Sequence, residues 1–142
     1  MPNWCDNTLV VTGYVQDILS FAERLKNGKW EKGNLLLLQT FVPMPEKYEG
    51  TVSGSDPITA DDGLTWYDWQ NKYWGVKWGD IDTEIVDKQP GKIWISFRTP
   101  WGPPVEGLQA ISKMFPKLTF EVDWREESPS RGHFIIENGE MI

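Results

Sequence analysis

An α+β fold is what this sequence predicts, and three observations predict it. Two segments place apolar residues at helical spacing. Several short segments rich in β-branched and aromatic residues alternate apolar with polar, as half-buried strands do. The two kinds interleave along the chain, which packs helices against a sheet. At 142 residues, with 39% hydrophobic and 13% aromatic side chains, the chain suits one core and therefore one domain, 1–142.

Thr8 to Thr12 is short and β-branched, Gly13 ends it, and the segment reads as a strand. Ile18, Phe21, Ala22 and Leu25 then recur at helical spacing within Asp17 to Lys26, and Asn27-Gly28 stops the helix. Leu35 to Phe41 is apolar up to Gln39 and reads as a buried strand. The first three elements so read form a β-α-β unit, which implies two parallel strands and a right-handed crossover. Pro43-Met44-Pro45 breaks the pattern, and residues 46–63, with Gly50, Gly54, Pro57 and Gly63, form a surface loop long enough to be functional. Thr65 caps a helix in the segment LTWYDWQNKYWGVKWG, residues 64–79. That helix is aromatic over an arc much wider than one stripe, so it is covered on more than one side or else exposes a patch.

Thr83 to Lys88 reads as a strand and Gln89-Pro90-Gly91 as a turn. Ile93, Ile95 and Phe97 alternate with Trp94, Ser96 and Arg98 in the next strand. Thr99-Pro100-Trp101-Gly102-Pro103-Pro104 is a rigid corner, and Val105, Leu108, Ile111 and Phe115 line one side of a helix that Pro116 closes. Leu118, Phe120, Val122 and Trp124 alternate with polar residues, and Gly132 to Ile136 is the last strand. With the loop, its helix and one flanking strand set aside, β-α-β-β-α-β remains. That is ferredoxin-like topology: a mixed, antiparallel-rich sheet with two helices on one face, plus an inserted aromatic-rich helix and an additional edge strand.

Composition excludes several functions. A net charge of -7 argues against a duplex-DNA or anionic-membrane binder, which needs a basic face. One Cys excludes an intramolecular disulfide framework and a four-Cys zinc site. No apolar run approaches the ~20 residues of a membrane span. The N-terminal residues lack the pattern of a secretory signal, so a cytoplasmic location is expected, with Cys5 a free thiol. Neither a dinucleotide-binding nor a P-loop glycine pattern occurs, and no cofactor is implied.

Four local patterns carry a family resemblance. They are Pro2-Asn3-Trp4-Cys5-Asp6-Asn7, Trp74-Gly75-Val76-Lys77-Trp78, the Thr99 to Pro104 corner, and Phe115-Pro116 before a strand with Glu126 near its end. Together they resemble the YubB-like proteins of phages and conjugative plasmids over nearly the whole chain, least in 46–63. The resemblance implies a ferredoxin-like domain and a mobile-element accessory protein of the bacterial cytoplasm. It supplies no catalytic residues.

The candidate sites follow from residue chemistry. Trp66, Trp69, Trp74 and Trp78, with Trp101 of the corner, form either a binding surface or extra core, since large aromatics serve both. Lys77, between Trp74 and Trp78, is placed for a cation–π contact. Trp94 faces away from Ile93 and Ile95 and can stack a base, unless segment 66–78 covers it; Glu121 and Asp123 beside it disfavour phosphate. Asp80, Asp82 and Glu84 alternate and, on a strand, project to one face as ligands for Mg2+ or Ca2+; a solvated acidic edge is the plainer reading. Cys5 and His133 form a nucleophile–base pair only if the fold brings them together.

The reading these residues favour is a non-enzymatic module that binds a host or mobile-element protein through the aromatic and acidic surface around 66–82 and the 46–63 loop. Two alternatives stay open. One is a small-ligand binder holding a nucleotide or sugar between Trp74, Trp78 and Trp101. The other is a metal-dependent enzyme using Asp80, Asp82 and Glu84.

Overall fold

The computed structural model describes residues 2–142. The first strand, β1 (Trp4–Thr12), buries Cys5, Asn7, Leu9 and Val11 on one side. It is central, pairing antiparallel with β5 (Lys92–Pro100) on one flank and β6 (Thr119–Glu126) on the other. Beyond β5 lies β4 (Ile81–Gln89), and beyond β6 lie β7 (Arg131–Glu137) and the short β8 (Glu140–Met141). A hairpin of two-residue strands, β2 (Trp30–Glu31) and β3 (Asn34–Leu35), extends the sheet past β4 through the single pair Leu35–Thr83. The strand order is β2-β3-β4-β5-β1-β6-β7-β8.

The inner four strands carry the ferredoxin-like frame. Helix α1 (Val15–Lys26) follows β1, and α4 (Val105–Met114) joins β5 to β6. Both helices face the same side, as their apolar spacing predicts. Ile18, Phe21, Ala22 and Leu25 of α1 and Leu108 and Ile111 of α4 are buried against Ile93, Ile95, Phe97, Phe120 and Val122 of the sheet. Phe21 is a hub: its ring stacks on Phe41 at 5.2 Å and meets Phe115 and Phe120 edge-on.

Two expectations about connectivity are corrected. Leu35 to Phe41 is not one buried strand. The strand stops at Leu35, and Leu37–Phe41 is a short helix, α2. An apolar run of this length does not separate strand from helix, and leucine is a good helix former. What tips it is remote: the Asp80 carboxylate accepts hydrogen bonds from the first two helical amides, Leu37 at 2.8 Å and Leu38 at 2.9 Å. The sheet is also antiparallel at every pairing. The strand that runs with β1 is β4, and β5 separates the two.

The inserted helix, α3 (Trp66–Tyr73), forms where the sequence places it. Thr65 caps it reciprocally with Asp68: the Asp68 amide donates to the Thr65 hydroxyl, and the Thr65 amide donates to the Asp68 carboxylate. It packs beside α4 on the helical side of the sheet. The loop expected over 46–63 contains a single 3-10 turn, Glu46–Tyr48, and a bridge between Val52 and Ile58. Its Tyr48 is buried, so part of this segment belongs to the core.

Candidate functional site

The tryptophans of 66–78 divide by backbone. Trp66 is half-buried against the core, and its amide donates to the Thr51 hydroxyl at 2.9 Å. Trp69 is buried among Tyr48, Tyr73 and Trp74, with ring centroids 6.4, 5.0 and 5.5 Å away. Trp74 is buried as well, and its indole Nε1 donates to the Val42 carbonyl at 2.7 Å. These three rings are covered from two sides, by the core and by residues of 41–51. They serve packing.

Trp78 is different. Gly75 turns the chain out of α3 with φ +83°, and Trp78 itself adopts φ +69°. The residue is 51% exposed. Its amide donates to the Gln70 side-chain oxygen at 2.7 Å, which pins the turn to α3. The Lys77 ammonium lies 4.2 Å from the Trp78 ring centroid, the expected cation–π contact. Trp101 repeats the arrangement at the end of β5: it is 58% exposed, with φ +72°, and its amide donates to the Asn3 carbonyl at 2.7 Å. A left-handed backbone at a bulky residue costs about 1–3 kcal/mol and persists only where the surroundings enforce it.

Trp78 and Trp101 lie at the same end of the sheet. Trp78 precedes the start of β4, Trp101 follows the end of β5, and Ile81 pairs with Arg98 between them. Arg98 ties this end together, reaching Asp6 at 3.1 Å, Glu127 at 3.9 Å and Asp82 at 4.0 Å while lying over the Trp4 ring. Three of the four patterns quoted for the family resemblance meet here. Asn7 donates to the Thr99 hydroxyl at 2.9 Å, and Asn3 donates to Glu126 at 3.2 Å. The Thr99 hydroxyl in turn donates to the Gly102 carbonyl at 2.6 Å, which fixes the proline-rich corner.

A cleft of about 430 Å3 opens beside Trp78, with Trp74, Gln39, Gln70, Asn34 and Asp82 among its lining residues. Trp101 does not line it, so Trp74, Trp78 and Trp101 do not form the single pocket expected of them.

The three carboxylates also part company. Asp80 is buried before β4 begins and serves α2; burial pushes its carboxyl up, against hydrogen bonds from Thr83, Leu38 and Leu37 that hold it down. Asp82 sits at φ +54° in a register shift of β4 and turns to Arg98. Glu84 is exposed farther along the strand. They do not share one face, and among the described residues no group of three or more His, Cys, Asp or Glu is arranged to hold a metal ion.

Cys5 and His133 are on opposite faces of the sheet. Cys5 is fully buried, and burial followed by the Glu126 charge pushes its thiol to about 11. His133 is on the open face, 3.5 Å from Glu121. They form no dyad. Trp94 is on that open face too, under the Lys92 ammonium at 4.7 Å, and α3 does not cover it. A second depression, of about 590 Å3, lies on this face beside Arg125 and Arg131. Sequence reasoning missed it because it depends on which residues face each other across β6 and β7.

Residues 73–142 match the family model described as the ferredoxin-like domain in Api92-like protein. The match runs from the end of α3 through β8. Among solved structures, protein Api92 from Yersinia pseudotuberculosis is similar, with a TM-score of 0.68 and 10% sequence identity over 100% of this chain and 96% of that one. At that identity the likeness is one of fold, and it agrees with the ferredoxin-like topology. No curated protein matches the chain. No helix is long and apolar enough to cross a membrane.

Proposed function

We propose that this protein is a non-enzymatic accessory module of phage or plasmid type, working in the bacterial cytoplasm and binding a host or mobile-element protein at the Trp78–Trp101 end of its sheet. The observation that carries the reading is the pair of half-exposed indoles, each held in a left-handed backbone at the same end. Large rigid aromatics anchor protein interfaces, and the Asp6, Asp82 and Glu127 carboxylates around Arg98 supply a charged rim. The mobile-element setting rests on the YubB-like patterns.

The test is affinity capture from host extract with wild type, Trp78→Ala, Trp101→Ala and Trp30→Ala. Trp30 is a control of matched exposure, 54% exposed on the outermost strand β2, with its indole Nε1 donating to the Lys26 carbonyl. A partner retained by wild type and Trp30→Ala and lost with either of the other two supports the reading. A partner retained equally by all four sinks it.

The cleft beside Trp78 favours a second reading, a site for a sugar or nucleotide. An aromatic wall beside polar side chains such as Asn34 and Asp82 suits such ligands. A thermal-shift panel of sugars and nucleotides tests it: a stabilisation that disappears in Trp78→Ala supports the small-ligand site, and no shift across the panel removes it.

A further inference from the structure

The chain has four arginines, and the fold employs two of them. Arg24 lies 5.2 Å from the ring centroids of both Phe41 and Phe115. Arg98 is surrounded by three carboxylates. Arg125 and Arg131 have neither an ion pair nor an aromatic partner among the described residues. Both are exposed, both line the depression of about 590 Å3 on the open face, and they are directly opposite in the β6–β7 register.

Like charges in that position repel. The arrangement persists in a chain that carries 21 acidic residues. On the other flank of β6, Asp6 is in register with Arg125, but its carboxylate turns to Arg98 at 3.1 Å instead. The two guanidinium groups are therefore left side by side over one opening. Gly132, next to Arg131, lies against the Trp124 indole so closely that a Cβ there would be 2.6 Å from Nε1, and both residues line the same depression. Asp123 lines it too, opposite His133.

We propose that Arg125 and Arg131 form a binding site for the phosphoryl group of a small, nucleotide-sized molecule, with Asp123 accepting hydrogen bonds from its hydroxyl groups. Paired guanidinium forks match phosphoryl oxygens, and an anion between them removes their repulsion. The site shares no lining residue with the cleft at Trp78 and touches the charged rim of the protein-binding end only at Asp6; its test reads Arg125 and Arg131 with pyrophosphate, so its failure is distinguishable from failure of the function proposed above.

The experiment is a titration of isotope-labelled full-length protein with pyrophosphate at low ionic strength, reading the arginine Nε–H resonances. The Arg125 and Arg131 signals are expected to move together on one binding curve. Arg125→Gln and Arg131→Gln are each expected to weaken binding at least about tenfold, Arg131→Lys less, and Trp78→Ala not at all. Without ligand, Arg131→Gln is expected to melt no lower than wild type, because it removes a repulsion, so loss of binding is not loss of fold. Static arginine signals, or equal affinity in the double glutamine variant, overturn the proposal. A single-stranded decanucleotide that binds far more tightly than pyrophosphate, with a steep salt dependence, also overturns it and makes this face a nucleic-acid surface. A decanucleotide no tighter than pyrophosphate supports the small-molecule site.

Discussion

Trp74 and Trp78 are four residues apart and have opposite fates. Trp74 closes α3 in ordinary right-handed backbone, sends its indole into the core and satisfies its Nε1 on Val42. Trp78 comes after Gly75 has reversed the chain, and its left-handed backbone carries the ring outward beneath Lys77. The same side chain is mortar in one place and presented surface in the other. What separates them is backbone torsion, held by the Trp78 amide on Gln70.

The comparison breaks most readily at its buried member. Trp74→Ala is expected to cost about 3–5 kcal/mol, the usual range for emptying an aromatic site in a core. Urea unfolding checks it; a loss under about 1 kcal/mol would mean that the ring is not part of the core. Asp80→Asn comes next, at about 2–3 kcal/mol. The new amide NH2 faces the donors that Asp80 satisfies, and each buried donor left unpaired costs about 1–3 kcal/mol. Amide exchange should show the loss concentrated at Leu37 and Leu38.

Trp78→Gly sharpens the contrast from the exposed side. Relief of a left-handed backbone gains about 1–2 kcal/mol, and the looser unfolded chain returns about 0.5–1 kcal/mol. The net change is expected within about 1 kcal/mol of zero, and a loss as large as that of Trp74→Ala would place Trp78 in the core. The smallest effect is acid-dependent. The Tyr48 hydroxyl, the Leu64 amide and Lys47 hold the Asp62 carboxyl down at about 2, below an ordinary 3.8. A depressed carboxyl stabilises the folded state above its unfolded value and loses that contribution as pH falls from about 4 toward about 2. Tyr48→Phe is expected to return the Asp62 titration, followed by carboxyl NMR, toward the ordinary range.

Local chemistry was legible in the sequence. The apolar spacing of Ile18, Phe21, Ala22 and Leu25, the alternation of Ile93, Ile95 and Phe97, and the Thr65 cap all act within one turn or one strand, and the structure bears them out. What depends on distant partners was not legible. Helix α2 takes its cap from a carboxylate 43 positions later, so no signal near Leu37 announces it. Asp80, Asp82 and Glu84 alternate on paper, but only the fold shows Asp80 drawn inward and a register shift at Asp82. The facing of Arg125 and Arg131 is likewise a property of pairing, set by where the Glu126 to Ser130 turn closes. The tryptophan-rich segment stood out at once, yet its division into packing and presentation hinged on one glycine.

The central place of β1 sets a schedule for synthesis. Its nearest pairing in sequence, Thr12 with Lys92, spans 80 positions (92 minus 12), and Cys5 waits for Glu126, 121 positions on (126 minus 5). At the roughly 5–20 residues per second of translation, β1 stays unpaired for several seconds after it leaves the ribosome. During that interval Leu9 and Val11 have no sheet to join. The strand is made long before it is sheltered, and a nascent chain stalled before β5 offers it to whatever holdase or protease is nearby.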